Sequence, residues 1–180
     1  MLRHKDVLVY ARASKVLHWL IALIVILMLS LSFFLGSLPE VDQPRGYMIH
    51  KSFGLTVLGL MFLRVVWIYY RGRPCLPVTV PRWEVMCARA VQYSFYGLLI
   101  AMPVCGWILS VASNHIPQYF ALFPLPIPGI APNETLAHVM DLAHKTMAWL
   151  LIALIVLHVA GALKHHFVDK DNVLRRMWFG

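Results

Sequence analysis

Apolar residues in this chain do not alternate with polar ones as on a half-buried strand. They continue for twenty residues or more, four times over, near residues 14–36, 47–70, 88–112 and 139–164. Each run exceeds the roughly 18 residues that suggest a membrane-spanning helix. The pattern predicts an all-α membrane protein, a four-transmembrane-helix bundle, as a single integral-membrane domain over 1–180 with no room for a soluble domain or a sheet. Turn signals separate the runs: GSLPEVDQPRG (36–46), RGRPCLPVTVPRW (71–83) and a long connection, 113–138, centred on FPLPIPGIAP. That connection reads either as a functional lid or as an apolar loop lying on the headgroups. Pro103 predicts a bend in helix 3. The first run is longer than a signal-peptide core and no A-x-A-like cleavage site follows it, so it is expected to stay as helix 1.

Composition strengthens this picture. The chain is 60% hydrophobic and 13% charged, where a soluble domain carries about 25% charged residues. Charge then orients it. Of the 16 Lys and Arg residues, twelve fall on one side of the expected bundle: Arg3, Lys5, Arg12 and Lys15, then Arg71, Arg73, Arg82 and Arg89, then Lys164, Lys170, Arg175 and Arg176. The positive-inside rule puts both termini in the cytoplasm. The net charge of +8 therefore expresses topology and contact with membrane lipid, and no nucleic-acid partner is expected. Cys75, Cys87 and Cys105 all avoid the outer loops, so no structural disulfide is expected. The absence of C-x-x-C-H argues against covalently attached haem.

Imidazole is an unusual group in such runs, and its placement is regular. His144 and His158 are 14 residues apart, a rotation about 40° short of four full turns and a rise of roughly 21 Å. They share a face of helix 4, one toward each side of the ~30 Å hydrocarbon layer. His50, near the outer start of helix 2, matches the depth of His144. His18, near the inner end of helix 1, matches His158. Two opposed imidazoles at one depth in an apolar slot suit an iron porphyrin with both axial positions filled. Tetrahedral zinc would gather four ligands together, and a proton relay would need intramembrane carboxylates, of which only Asp141 lies near a helix end. Gly54 and Gly161, each about one turn beyond a histidine, would let a flat macrocycle approach the backbone, although glycine also serves close helix packing in membranes.

The motifs VLHWL (16–20), MIHKSFG (48–54), AMPVCGW (101–107) and H-x13-H followed by HHFVDKDNVLRRM (165–177) resemble the bacterial cytochrome b561 family, over almost the whole chain. The resemblance implies a four-helix inner-membrane protein with two haem b groups, ligated by His18 with His158 on the cytoplasmic side and His50 with His144 on the periplasmic side. It also implies an oxidoreductase passing single electrons from a periplasmic donor, superoxide, to ubiquinone. The alternative is a cytochrome b anchor subunit relaying electrons between a partner dehydrogenase and quinone. The chain fits the stand-alone members better, and no obligate protein partner is expected. Where family members often carry a histidine early in helix 3, this chain has Gln92, whose amide can still bond a carbonyl.

Other candidates follow from position. Arg64, inside helix 2, is a candidate partner for an inner-haem propionate, or it snorkels to the headgroups. His165 faces the interior beyond His158 and is a candidate for a quinone or propionate contact. Lys51 and Lys145 each follow an outer histidine and could steer an anion or pair with outer propionates. The outer face as a whole carries Arg45, Lys51 and Lys145 against Glu40, Asp42, Glu134 and Asp141, so any steering is local. His4, His115 and His138 have no constellation around them.

Overall fold

The computed structural model describes residues 10–72, 74 and 80–178. Arg3, His4, Lys5, Arg73 and Cys75 lie outside the described residues. Four helices dominate: α1 (Arg12–Ser32), α2 (Gln43–Arg71), α3 (Arg82–Ala112) and α4 (Glu134–Phe167). Each is long and apolar enough to cross a membrane.

Local chemistry sets where they start and stop. α1 ends four residues before the apolar run does: the Ser32 hydroxyl bonds back to the Leu29 carbonyl at 2.7 Å, and the chain tightens into a 3-10 turn over Leu35–Ser37. Pro44 sits in the first turn of α2, where its missing N–H costs nothing. Gly72, at φ 74°, closes that helix by donating to the Ile68 carbonyl at 2.9 Å, the left-handed cap that glycine favours. α3 begins at Arg82, six residues before its apolar run, with Pro81 at the cap and Glu84 in the first turn. Such polar turns are invisible to a search for apolar length. α4 begins at Glu134, and the Asn133 side chain caps it by accepting from the Leu136 N–H at 2.9 Å. Lys164, His165 and His166 fill its last turn, opposing the carbonyl end of the helix dipole. α3 continues through Pro103 as one assigned helix.

The expectation of no sheet needs correction. Within the long connection, β1 (Gln118–Tyr119) pairs antiparallel with β2 (Phe123–Pro124). The reason is a polar anchor inside the bundle. Ser52, with no exposed surface, accepts from the Phe120 N–H at 2.8 Å and shares its single hydroxyl hydrogen between the carbonyls of Met48 and Gln118, at 2.8 and 3.2 Å. Thr56 meets the Tyr119 hydroxyl at 3.1 Å, and the Trp107 indole donates to the Leu125 carbonyl at 2.8 Å. The connection is thus a hairpin pinned to α2 and α3.

The tight core is one apolar layer at mid-height: Ile21, Val25 and Leu29 from α1, Val57 and Met61 from α2, Leu99 from α3 and Leu151 from α4. Outward faces are apolar too, with Leu23, Leu27, Phe62, Leu150 and Leu157 exposed, as lipid contact requires. At the end of the bundle that carries the chain termini, the last residues fold back onto α1. Buried Lys15 donates to the Trp178 carbonyl at 2.6 Å and the Trp19 indole to that of Met177 at 3.0 Å.

Candidate functional site

Two histidine pairs stand above and below the apolar layer. The rings of His18 and His158 have centres 6.1 Å apart and planes inclined by 66°; those of His50 and His144 are 6.2 Å apart and inclined by 68°. A metal–imidazole bond of about 2 Å on each side, plus roughly 1 Å from each nitrogen to its ring centre, would place opposed ring centres about 6 Å apart. Both pairs have room for one shared ion in that sense. Along α4, His144, Leu151 and His158 recur at seven-residue steps, and Leu151 is the one buried residue of that helix. α4 therefore buries a side chain most fully at its middle, between its two histidines.

Tests of fit with a flat macrocycle agree at the glycines. A Cβ built on Gly54 or Gly161 would meet no atom within 4 Å, so neither glycine is required for close helix packing. Around the terminal-end pair, three buried donors lack a partner: Arg64 Nε, Trp67 Nε1 and the Tyr96 hydroxyl. Buried donors cost free energy unless paired, so this pocket suits an occupant with acceptor oxygens. Phe95 packs edge-on to His158 at 5.5 Å, and Arg64 lies over the Tyr96 ring at 5.9 Å.

The surroundings of the pairs differ. His144 Nδ1 lies 3.1 Å from the Met102 carbonyl. A carbonyl only accepts, so Nδ1 carries the hydrogen and Nε2 keeps its lone pair. At the other pair, Arg64 Nη1 lies 3.3 Å from His18 Nδ1. A guanidinium only donates, so this nitrogen accepts and the hydrogen of the neutral ring sits on Nε2. His50 Nδ1 is buried with no partner.

The remaining candidates are placed less centrally. Lys51 donates to the His115 carbonyl at 3.3 Å, and Lys145 pairs with Asp141 at 2.7 Å on the surface. Each has a partner other than the rings. The Gln92 amide oxygen accepts from Arg89 at 3.1 Å. His165 Nδ1 donates to Asp171 at 2.7 Å and lies 3.2 Å from Asp169, with Glu84 3.8 Å from its Nε2. Glu84, His165 and Asp169 bring ligand atoms within 4.8 Å of one another, but Lys164 already bridges the two carboxylates at 2.9 and 2.8 Å. That cluster carries its own cation. Cys87 and Cys105 are free thiols.

Sequence reasoning passed over Gly106 and the Met102 carbonyl. The signal available was a glycine inside a long helix, within AMPVCGW, where glycine costs about 1 kcal/mol relative to alanine.

With this geometry in hand, comparison with known proteins is direct. The family described as prokaryotic cytochrome b561 matches residues 9–180. Cytochrome b561 homolog 2 of Escherichia coli (strain K12) is 33% identical over 171 residues, covering 93% of this chain and 90% of that protein. A Yersinia pestis protein named probable superoxide oxidase CybB is 33% identical over 163 residues, covering 89% of this chain and 90% of that protein. Cytochrome b561 homolog 1 of Escherichia coli (strain K12) is 26% identical over 170 residues, covering 93% and 96%.

Proposed function

Because this chain belongs to the prokaryotic cytochrome b561 family of multi-pass inner-membrane electron-transfer proteins, we propose that it is a di-haem cytochrome moving single electrons from periplasmic superoxide to ubiquinone. His18 with His158 would hold one haem b, on the cytoplasmic side, and His50 with His144 the other, on the periplasmic side. The observation that carries the reading is the repetition: two pairs, at 6.1 and 6.2 Å with near-equal tilt, at the two ends of one helix. Bound haem would supply reversible one-electron chemistry at iron.

The side chains have separable tasks. His144 presents a free Nε2 because Met102 holds its other nitrogen. Arg64, with Trp67 and Tyr96 nearby, offers cationic and neutral donors to carboxylate oxygens such as haem propionates. The apolar layer around Met61 and Leu151 excludes water between the two levels. The basic terminal end, holding Arg12, Lys15, Arg71 and Arg82, orients both termini to the cytoplasm under the positive-inside rule. Gln92 and His165 lie at that end, where a quinone headgroup could meet a hydrogen-bond donor. Support for superoxide as donor is the similarity to the protein named probable superoxide oxidase.

The test is spectroscopic and then kinetic. Purified full-length protein should contain two acid-acetone-extractable haems per chain, both low-spin. A superoxide-generating system should reduce them, and a soluble ubiquinone should reoxidise them. Haem without reduction by superoxide would point instead to an anchor subunit fed by a partner dehydrogenase. A pigment-free protein would remove the electron-transfer reading altogether.

A further inference from the structure

Gly106 lies on α3 opposite His144. A Cβ built there would stand 2.9 Å from His144 Cε1 and 3.1 Å from Nδ1, distances at which real side chains do not sit unless something shifts. The same imidazole reaches past this position to the Met102 carbonyl at 3.1 Å, one turn back along α3. A carbonyl has two lone pairs, so Met102 can serve both its helix and the ring. Of the other glycines of the long helices, Gly54, Gly59, Gly97 and Gly161 meet no atom within 4 Å at the equivalent point, and Gly46, in the first turn of α2, meets the aliphatic side chains of Leu35 and Leu38 at 2.9 Å. Gly106 is therefore distinguished by what fills its side-chain space, and the occupant is a proposed ligand.

We propose that Gly106 and the Met102 carbonyl form a socket for His144: the missing side chain seats the ring against α3, and the carbonyl holds its hydrogen on Nδ1 so that Nε2 faces His50. Gly106 is a positioning residue, acting on the iron only through His144. A histidine that donates its second nitrogen's hydrogen to a carbonyl is oriented and made a more basic ligand. The socket therefore also favours the oxidised iron of this pair and sets the midpoint potential of the outer haem below that of a free-standing ligand. This inference rests on the di-haem reading, and the tests separate the two.

In Gly106→Ala, with the full chain purified and haem counted first, the outer component should either be lost or titrate at a higher midpoint potential with altered low-spin EPR g-values. The inner component should not move. Gly97→Ala, on the same helix, should leave both components as in wild type. A Gly106→Ala protein with two haems and unchanged outer potential and g-values would overturn the socket.

Should Gly106→Ala fail to fold, the carbonyl can be probed without touching α3. In His144→Gly, added imidazole can refill the ring's place and still donate to Met102, whereas 1-methylimidazole has no N–H to give. Imidazole should restore the outer low-spin spectrum at about fivefold lower concentration. Equal rescue by both compounds, at equal potential, would overturn the socket. A wild-type preparation with fewer than two haems would instead defeat the di-haem reading on which it depends.

Discussion

The two histidine pairs have almost the same internal geometry and very different neighbours. At the hairpin end, His144 packs against Gly106 and donates to a backbone carbonyl, and buried Ser52, two residues after His50, pins the hairpin. At the terminal end, His18 faces a guanidinium, three buried donors have no partner, and His158 is the most exposed of the four histidines. In the first pair His144 already has a lone pair free on Nε2, while His50 Nδ1 has no partner to fix its hydrogen. The second requires a change: ligation through His18 Nε2 needs Arg64 to turn away or the ring to release its hydrogen. A propionate beside Arg64 would supply the reason to turn. Equal ring spacing therefore comes with unequal neighbours.

The largest effects are expected from deleting one proposed ligand of each pair. His144→Ala should remove the outer haem and His158→Ala the inner one, each halving the haem count in a pyridine haemochromogen assay while the other spectral component persists. If each variant lost equal parts of both components, pairing by depth would be wrong.

Arg64→Gln sharpens the contrast next. Losing the cation removes the proposed propionate partner, so inner-haem occupancy should drop severalfold under dilution with apo-myoglobin as haem acceptor. The inner midpoint potential should also fall, because a nearby cation stabilises the added electron. Arg64→Lys should recover much of both effects. No change in either would exclude Arg64 as a propionate partner.

Ser52→Ala addresses the hairpin side. It strips three contacts from a hydroxyl with no exposed surface and leaves the Phe120 N–H unpaired, at a cost of about 1–3 kcal/mol. Faster proteolysis between residues 118 and 124, with the inner haem undisturbed, is the expected result. The smallest effect belongs to Lys145→Gln. Its partner Asp141 already neutralises it, and both side chains are well exposed at 69% and 44%, so stability should shift by less than about 1 kcal/mol. The rate of reduction by superoxide should hardly change. Lys51→Gln should matter more to that rate if a cation steers the donor, since Lys51 has a carbonyl and not a carboxylate as its partner. Equal, salt-independent rates for both variants would exclude steering by either lysine.

Much of this protein follows from its sequence alone. The four spans are set by apolar length, because a bilayer leaves the backbone no other way to pair its polar groups than helices or closed barrels. The common face of His144 and His158 follows from helical pitch, and their depth match with His50 and His18 follows from counting along spans that alternate in direction. Helix ends were less legible, since the polar first turns of α3 and α4 contribute nothing to an apolar count. What only the tertiary structure decided is which backbone and side-chain atoms stand beside each ring. Gly106 and Met102 lie about 40 positions from His144, and Arg64 lies 46 from His18. Such contacts depend on rotation between neighbouring helices, and apolar faces that look alike all round do not encode that rotation. The hairpin was hidden for a related reason. Its strands are two residues each, too short for any alternation to register, and they exist because one buried serine on α2 meets them.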